Sequence, residues 1–191
     1  MRDWNDLYQK IGPLRYQAST SDCVPTTIIN GLSILLEGPL PPKLHQLIWA
    51  LAGDQDKNGG TGWVCCDTLA ALLSRWFQRA HQDKRAPESL PFTSEIIENA
   101  INLKPGGKLL RCLSGGGVAC LTTGKNADHY TLLIGTEGDY FLGFDSWWDK
   151  KTSKRVDAFA PYKGMVNIKW SRGELEDELQ RCNWVHLLGR S

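Results

Sequence analysis

The apolar residues of this chain change their period near its middle, and this change limits the possible folds more than any other feature. In the first half they recur three and four positions apart, which predicts helices. In the second half, short apolar runs alternate with glycines and polar turns, which predicts antiparallel strands. We therefore expect an α+β fold for the 191 residues. The length predicts one domain, mainly helical over 1–105 and mainly sheet over 106–191.

Individual elements follow from the same pattern. We expect helices over 25–37, 43–53, 63–80 and 93–103. We expect strands over 108–113, 118–123, 129–135, 140–145, 165–170 and 184–190. Ser171 and Glu174 have the spacing of a capping box, which predicts a short helix just before the last strand.

Charge and hydropathy exclude several classes of partner. The net charge is +1, from 22 basic and 21 acidic residues, so we expect no binding to nucleic acid or to an anionic membrane. No apolar stretch approaches the roughly 18 to 20 residues of a membrane span. The N-terminus lacks the apolar core of a signal peptide, and we expect synthesis and folding in a cytoplasm.

The six cysteines are the next feature to explain. An even number fits a disulfide-linked secreted protein, and this stays an alternative. Their density is low, however, and adjacent Cys65 and Cys66 lack good disulfide geometry. We expect most of them to be reduced and buried. No CxxC or HxxxH pair occurs, so we expect neither a metal nor another cofactor.

One cysteine differs from the others in its surroundings. Cys23 lies in "QASTSDCVPTTIIN", just before Pro25, where the first long helix begins. The positive potential of a helix N-terminus favours a thiolate, which is the nucleophilic form of cysteine. Cys65 and Cys66 lie in an apolar run that indicates packing. Cys23 is therefore the candidate nucleophile, with buried packing as the alternative.

A thiolate also needs a base, and His129 is the best placed of the four histidines. His45 and His81 lie in expected helices, and His186 lies in an apolar strand. His129 follows a polar loop and opens a strand, while Asp145 ends the partner strand of the same expected hairpin. Asp145 is thus the candidate acid that orients the imidazole.

Whether His129 can reach Asp145 depends on the hairpin register. A three-residue loop over 137–139 would place Asp145 opposite Thr131, and His129 would then lie diagonally on the same face. A two-residue turn would instead place the two side chains on opposite faces. We expect the three-residue loop.

The developing oxyanion of an acyl transfer needs hydrogen-bond donors. The side-chain amide of Gln17 and the backbone N–H of Cys23 could supply two. This gives a reason for a glutamine shortly before the cysteine.

These residues resemble a known family. Gln17, "SDCVPTT", "DHYTLLIG" and "YFLGFD" are similar to the motifs of papain-like cysteine peptidases, nearest to bacteriocin-leader peptidase domains. The resemblance implies a papain-like fold and assigns Cys23 as nucleophile, His129 as base, Asp145 as orienting acid and Gln17 as oxyanion donor. The long interval between Cys23 and His129 is closer to solitary papain-like proteins that bacteria deliver into other cells.

Two positions depart from the leader-peptidase pattern. Val24 stands where the family has glycine, and Ser146 stands where it has proline. The resemblance implies a thiol hydrolase that acts on an amide bond, foremost a cysteine protease. A glutamine deamidase or transglutaminase-like enzyme would use the same triad. A catalytically inactive binding module is the further alternative, and Val24 is its main support.

The expected partner is a protein or peptide substrate. Val24, Tyr130 and Trp147 adjoin the candidate triad in sequence and are candidates for substrate contact. Trp147 is expected to wall a groove, although it could instead cap the sheet. A role as a bacterial effector or toxin would require delivery into another cell without a classical signal peptide. The oligomeric state is left open.

Overall fold

A computed structural model describes residues 2–52, 63–83, 92–98, 103–147, 161–181 and 184–190. The helices are α1 Trp4–Ile11, α2 Cys23–Leu36, α3 Pro42–Ala52, α4 Trp63–Gln82, α5 Lys108–Ser114 and α6 Arg172–Arg181. The strands are β1 Phe92–Glu98, β2 Val118–Thr123, β3 His129–Glu137, β4 Tyr140–Phe144, β5 Ile168–Ser171 and β6 Trp184–Arg190. They form one antiparallel sheet in the order β1-β6-β2-β3-β4-β5, which confirms the α+β fold.

Helices cover both faces of this sheet. Alternate residues of a strand point to opposite faces, so each strand contributes to two cores. Cys120 and Leu132 pack in one core with residues of α1 to α4. Leu121 and Leu133 pack in a second core with residues of α5 and α6. The strands are consequently apolar on both faces, which explains their nearly continuous hydrophobic runs.

Helix α2 lies against the centre of the sheet, and nearly all of its residues are buried. A Cβ atom on Gly31 would come within 3.1 Å of Val118 Cγ2 and 3.2 Å of Leu132 Cδ1, so glycine permits this close approach. Near the start of the helix, the Thr27 hydroxyl donates a 3.0 Å hydrogen bond to the carbonyl of Tyr130. The first turn of α2 is thereby fixed beside the first residues of β3.

Two expected elements were wrong. The run 108–113 forms helix α5, because Leu109 and Leu113 lie four residues apart and are both buried on its inner side. The expected helix over 93–103 is strand β1 at 92–98, which pairs with β6, and residues 99–102 lie outside the described part. Phe92 and Ser94 are buried while Thr93 and Glu95 are exposed, which is the alternation of a strand.

These corrections also affect the expected division near residue 105. Strand β1 precedes that boundary and belongs to the sheet, while α5 and α6 follow it. Helix α1 was not expected from the sequence. The carboxylate of Asp3 caps it by accepting hydrogen bonds from the backbone N–H groups of Asn5 and Asp6, both at 3.0 Å.

The capping box before α6 is confirmed. The backbone N–H of Ser171 donates to Glu174 Oε2 at 2.7 Å, and the N–H of Glu174 donates to Ser171 Oγ at 3.3 Å.

Four described cysteines are free thiols, namely Cys23, Cys66, Cys112 and Cys120. Cys182 and the side chain of Cys65 lie outside the described part. Within the described ranges, no helix is long and apolar enough to span a membrane.

Candidate active site

Cys23 is the first residue of α2, as expected. The preceding turn is closed by Asp22, whose carboxylate accepts a 3.0 Å hydrogen bond from the backbone N–H of Ser19. Pro25 lies in the first helical turn, where a backbone N–H would have no acceptor within the helix. Only 9% of Cys23 is exposed, so most of the residue is shielded from solvent.

The hairpin turn between β3 and β4 differs from the expectation. Glu137 pairs with Tyr140, so the turn has two residues, Gly138 and Asp139, and not three. Gly138 has a φ of 56°, which suits glycine at the first position of a two-residue turn. Taken alone, this turn would place the candidate histidine and aspartate on opposite faces.

A β-bulge restores the register. Between Leu133 and Gly135 the pairing shifts by one residue, and beyond this point Leu132 pairs with Phe144. Asp145, the next residue, therefore falls opposite the residue before Leu132 and on the same face as His129. The expected alignment is reached by a different route, through a two-residue turn followed by a bulge.

The His129 imidazole contacts the Asp145 carboxylate directly, with Nε2 and Oδ1 2.6 Å apart. This contact confirms the expected neighbourhood of the two residues. The pair lies where β3 begins and β4 ends, and its side chains are 22% and 32% exposed, so its access to water is limited. With Nε2 bonded to Asp145, Nδ1 is the nitrogen left to exchange a proton with Cys23.

The surroundings of His129 favour its protonated form. Burial lowers its pKa, but hydrogen bonds with Asp145 and with Cys23 outweigh that effect and raise the pKa to about 9. At neutral pH the ring is therefore an imidazolium. A cation beside a cysteine favours the thiolate. The three side chains are thus brought together as a sulfur, an imidazole and a carboxylate, while their catalytic roles stay predictions.

Asn167 fixes the backbone of Asp145. Its Oδ1 accepts a 2.7 Å hydrogen bond from the Asp145 N–H, and its Nδ2 donates a 2.8 Å bond to the Asp145 carbonyl. The side-chain amide of Asn167 thereby takes the place of backbone hydrogen bonds between β4 and β5, just beyond the last paired residues. Sequence reasoning missed this residue, although an asparagine inside the apolar run "MVNIKW" was a visible signal.

A second asparagine, Asn30, bonds in the same way to the backbone of Arg15, two residues before Gln17. Asn30, on α2 and only 2% exposed, accepts from the Arg15 N–H at 2.9 Å and donates to the Arg15 carbonyl at 2.8 Å. The helix that begins with Cys23 therefore also holds the segment that leads into Gln17. This residue, too, was missed, because it reads as part of an ordinary helix.

Gln17 lies beside the residue that follows Asp145. Its backbone N–H donates to the Ser146 carbonyl at 3.0 Å, and its side-chain Oε1 accepts from the Ser146 hydroxyl at 2.9 Å. Its Nε2 donates to the Ser19 carbonyl at 2.8 Å. The structure thus brings Gln17 to the segment that carries Asp145, and its role as an oxyanion donor stays a prediction.

Two of the three expected substrate contacts have side chains that are buried in the core, which argues against contact with a substrate. Tyr130 is only 1% exposed and Val24 only 5% exposed, and both side chains pack in the core. Tyr130 points into the helical layer because it alternates with His129 along β3. Val24 is buried because the first turn of α2 already lies against the sheet. Trp147 is 43% exposed, and its contact with substrate stays a prediction.

A further exposed aromatic residue borders the site. Tyr16 precedes Gln17, is 40% exposed, and packs against Phe144 with ring centroids 5.1 Å apart. Tyr16 and Trp147 are two of the three large hydrophobic residues exposed in the described part of the chain.

The described residues contain no group of three side chains suited to hold a metal ion.

Two solved structures of one kind of peptidase resemble this chain. The peptidase domain of Streptococcus ComA, a bi-functional ABC transporter involved in a quorum-sensing pathway, has a TM-score of 0.50 over 94% of this chain and 98% of that chain, at 14% identity. The peptidase domain of Streptococcus mutans ComA, in complex with a small-molecule inhibitor, has a TM-score of 0.42 over 92% and 98%, at 14% identity. No family profile and no curated protein matches the sequence.

The first of these similarities shows the fold. The chain has the fold of the ComA peptidase domain, and this confirms the papain-like fold that the motifs around Cys23 and His129 predicted.

Proposed function

We propose that this chain is a papain-like cysteine peptidase that cleaves amide bonds through Cys23, His129 and Asp145. The observation that carries the proposal is the position of His129, whose Nε2 lies 2.6 Å from Asp145 Oδ1 and whose pKa is also raised by Cys23. The fold, shared with a peptidase domain, supports the same reaction class.

The arrangement supports a two-step reaction. The Cys23 thiolate attacks the carbonyl carbon, and the His129 imidazolium gives its proton to the leaving amine as the C–N bond breaks. Water then attacks the acyl-enzyme, His129 accepts a proton from it, and the C–S bond breaks to release a carboxylic acid and regenerate the thiolate. Asp145 holds the ring in place and stabilises its positive charge throughout.

The proposed substrate is a protein or peptide. The support is the peptidase fold, together with the exposed rings of Tyr16 and Trp147 beside the candidate triad, since aromatic rings are effective anchors for peptide side chains. A role as an effector or toxin, and delivery into another cell, stay predictions that no residue of the site supports.

The test uses a complex peptide mixture as substrate. Wild type, Cys23→Ala and Cys120→Ala would each be incubated with the tryptic peptides of a bacterial proteome, and the products identified by mass spectrometry. Cys120 is a matched control because it is a fully buried thiol whose partner across the strands is Leu132 and not His129. We expect new peptide termini with wild type and Cys120→Ala and none with Cys23→Ala.

Two other outcomes would contradict the proposal. Glutamine converted to glutamate, with no new termini, would show a deamidase on the same triad. New termini that persist in Cys23→Ala would exclude Cys23 as the nucleophile.

A further inference from the structure

We propose that Ser146 is a positioning residue that holds the Gln17 carboxamide with its Nε2 directed at the oxyanion. This inference rests on the proposed function, since an oxyanion forms only if Cys23 attacks a carbonyl. Ser146 stands where the leader-peptidase pattern has proline, which has no hydroxyl group. The chain therefore orients its glutamine by a contact that the resemblance does not supply.

The first support is the burial of the contact. Ser146 is 0% exposed, and its hydroxyl donates to Gln17 Oε1 at 2.9 Å. A buried polar group without a partner typically costs about 1 to 3 kcal/mol, so this pairing is strongly preferred over its loss. The backbone bond from the Gln17 N–H to the Ser146 carbonyl, at 3.0 Å, keeps the two residues side by side.

The second support is the polarity of the surrounding groups. The Ser19 carbonyl can only accept, and it receives a 2.8 Å hydrogen bond from Gln17 Nε2. Rotating the carboxamide by half a turn would set Oε1 against that carbonyl, which places two acceptors together. The Ser19 carbonyl and the Ser146 hydroxyl thus select the same orientation. Because an amide nitrogen carries two hydrogens, one remains to donate to a substrate oxygen.

The third support is the continuity of the segment. The carboxylate of Asp145 bonds to His129, and the hydroxyl of the next residue, Ser146, bonds to Gln17. Asn167 holds the backbone of this segment, and Asn30 holds the backbone just before Gln17. One short stretch of chain consequently positions both the candidate base and the candidate oxyanion donor.

The experiment separates acyl transfer from alkylation. The acyl probe is p-nitrophenyl acetate. The thiolate attacks its carbonyl through an oxyanion, the C–O bond breaks, p-nitrophenolate leaves and the acetyl group stays on sulfur. Iodoacetamide instead reacts at a saturated carbon with loss of iodide, and no oxyanion forms. Both rates would be measured at Cys23 by peptide mass spectrometry, with p-nitrophenolate release as a second readout of acylation.

Five variants are compared with wild type. They are Ser146→Ala, Ser146→Gly, Gln17→Ala, the double variant of Gln17→Ala with Ser146→Ala, and Ser94→Ala. Ser94 is the matched control because it is another buried serine, 8% exposed, whose hydroxyl bonds to His186. Removing the Ser94 hydroxyl should lower the free energy of unfolding about as much as removing that of Ser146, and it leaves the candidate site unchanged. Ser146→Gly removes the same hydroxyl with a different effect on the backbone, so agreement with Ser146→Ala excludes a folding artefact.

We expect Ser146→Ala and Ser146→Gly to slow acylation about tenfold or more, because loss of an oxyanion donor typically costs on the order of a hundredfold. Gln17→Ala should slow it at least as much, and the double variant should match Gln17→Ala, since Ser146 acts through Gln17. Alkylation should stay at the wild-type rate. Ser94→Ala should leave both rates unchanged.

Two different results would overturn the inference alone. The first is acylation at the wild-type rate in Ser146→Ala. The second is a double variant in which the factors of slowing measured for Gln17→Ala and Ser146→Ala multiply. A wild-type Cys23 that shows no preferential alkylation by iodoacetamide would instead refute the proposed function, and the inference with it.

Discussion

Two histidines on the same sheet occupy opposite electrostatic states. His129, at the start of β3, bonds through Nε2 to the Asp145 carboxylate at 2.6 Å. His186, on β6, bonds through Nε2 to the Ser94 hydroxyl at 2.7 Å and is 0% exposed. Burial lowers the pKa of both rings. Among the described residues His186 has no charged partner, and its pKa falls to about 4, whereas Asp145 and Cys23 raise the pKa of His129 to about 9.

The difference shows what turns a strand histidine into a candidate base. Both rings accept or donate a hydrogen bond across neighbouring strands, so neither strand position nor hydrogen bonding distinguishes them. What distinguishes them is a carboxylate in contact with the ring and a thiol that also raises its pKa, together with partial access to solvent. By this criterion His186 is a structural residue, as its apolar strand predicted, and His129 is the candidate base.

The largest expected effect comes from removing each ring in turn. His129→Ala should lower the rate of peptide cleavage by about 10² to 10⁴, which is the usual contribution of a general acid–base group. His186→Ala should leave the rate of the folded protein unchanged and lower its free energy of unfolding, because it leaves a cavity and an unpaired Ser94 hydroxyl. Cleavage kinetics and urea denaturation measure the two effects. Equal losses of cleavage activity in His129→Ala and His186→Ala would contradict the distinction between the two rings.

The pH dependence of stability should have opposite signs for the two rings. Between about pH 4 and pH 6.5 the unfolded chain protonates His186 while the folded chain does not, so stability falls as pH falls through this range. Between pH 6.5 and about pH 9 the folded chain keeps its proton on His129, so stability falls as pH rises. Urea denaturation across this range should show both slopes, and His186→Leu should remove only the acidic one.

The Asp145 carboxylate should account for much of the elevated pKa of His129. In Asp145→Asn we expect the pKa to fall from about 9 towards the ordinary value of 6.5, because the charged partner is lost while the ring stays bonded. Ser94→Ala should leave His186 neutral above about pH 5, since its pKa is lowered by burial and not by the hydroxyl. Titration of the ring resonances by NMR measures both. An unchanged His129 in Asp145→Asn would show that Cys23 alone sustains the shift.

The smallest expected effect concerns the residue that holds Asp145. Asn167→Ala removes two hydrogen bonds to the Asp145 backbone, so the carboxylate should be less well placed and cleavage should slow several-fold. Ser171→Ala, at the other end of β5, is the control, because it breaks the capping box of α6 and should cost about 1 kcal/mol of stability without affecting cleavage. Equal cleavage by the two variants would count against a positioning role for Asn167.

The residues of the candidate triad could be predicted because their signals are local. Cys23 precedes Pro25 at a helix start, and His129 follows a polar loop and opens a strand. Their alignment with Asp145 was predicted for the wrong reason. The turn has two residues, and a bulge beside Ile134 corrects the register. A bulge depends on the packing of both strands, and nothing in the run "HYTLLIG" marks it.

The remaining differences have the same physical origin. The stretch 93–103 was predicted to be a helix, yet its residues 93–98 pair with β6, roughly ninety residues later in the chain. The parts of Asn167, Asn30 and Ser146 likewise depend on segments that meet only in the fold. Helix α5 was missed because a short apolar run fits a helix and a strand equally well.

The central claim is that Cys23 and His129 form a coupled pair, and the pH dependence of alkylation tests it most directly. Iodoacetamide would be applied across a range of pH to wild type and to His129→Ala, with each cysteine read separately by peptide mass spectrometry. Cys112, whose pKa is raised to about 11, mainly by burial, and fully buried Cys120 serve as internal references. The account predicts that wild-type Cys23 reacts well below pH 8, ahead of both references, and that His129→Ala abolishes this advantage. A Cys23 that reacts like an ordinary or buried thiol in both proteins would contradict it.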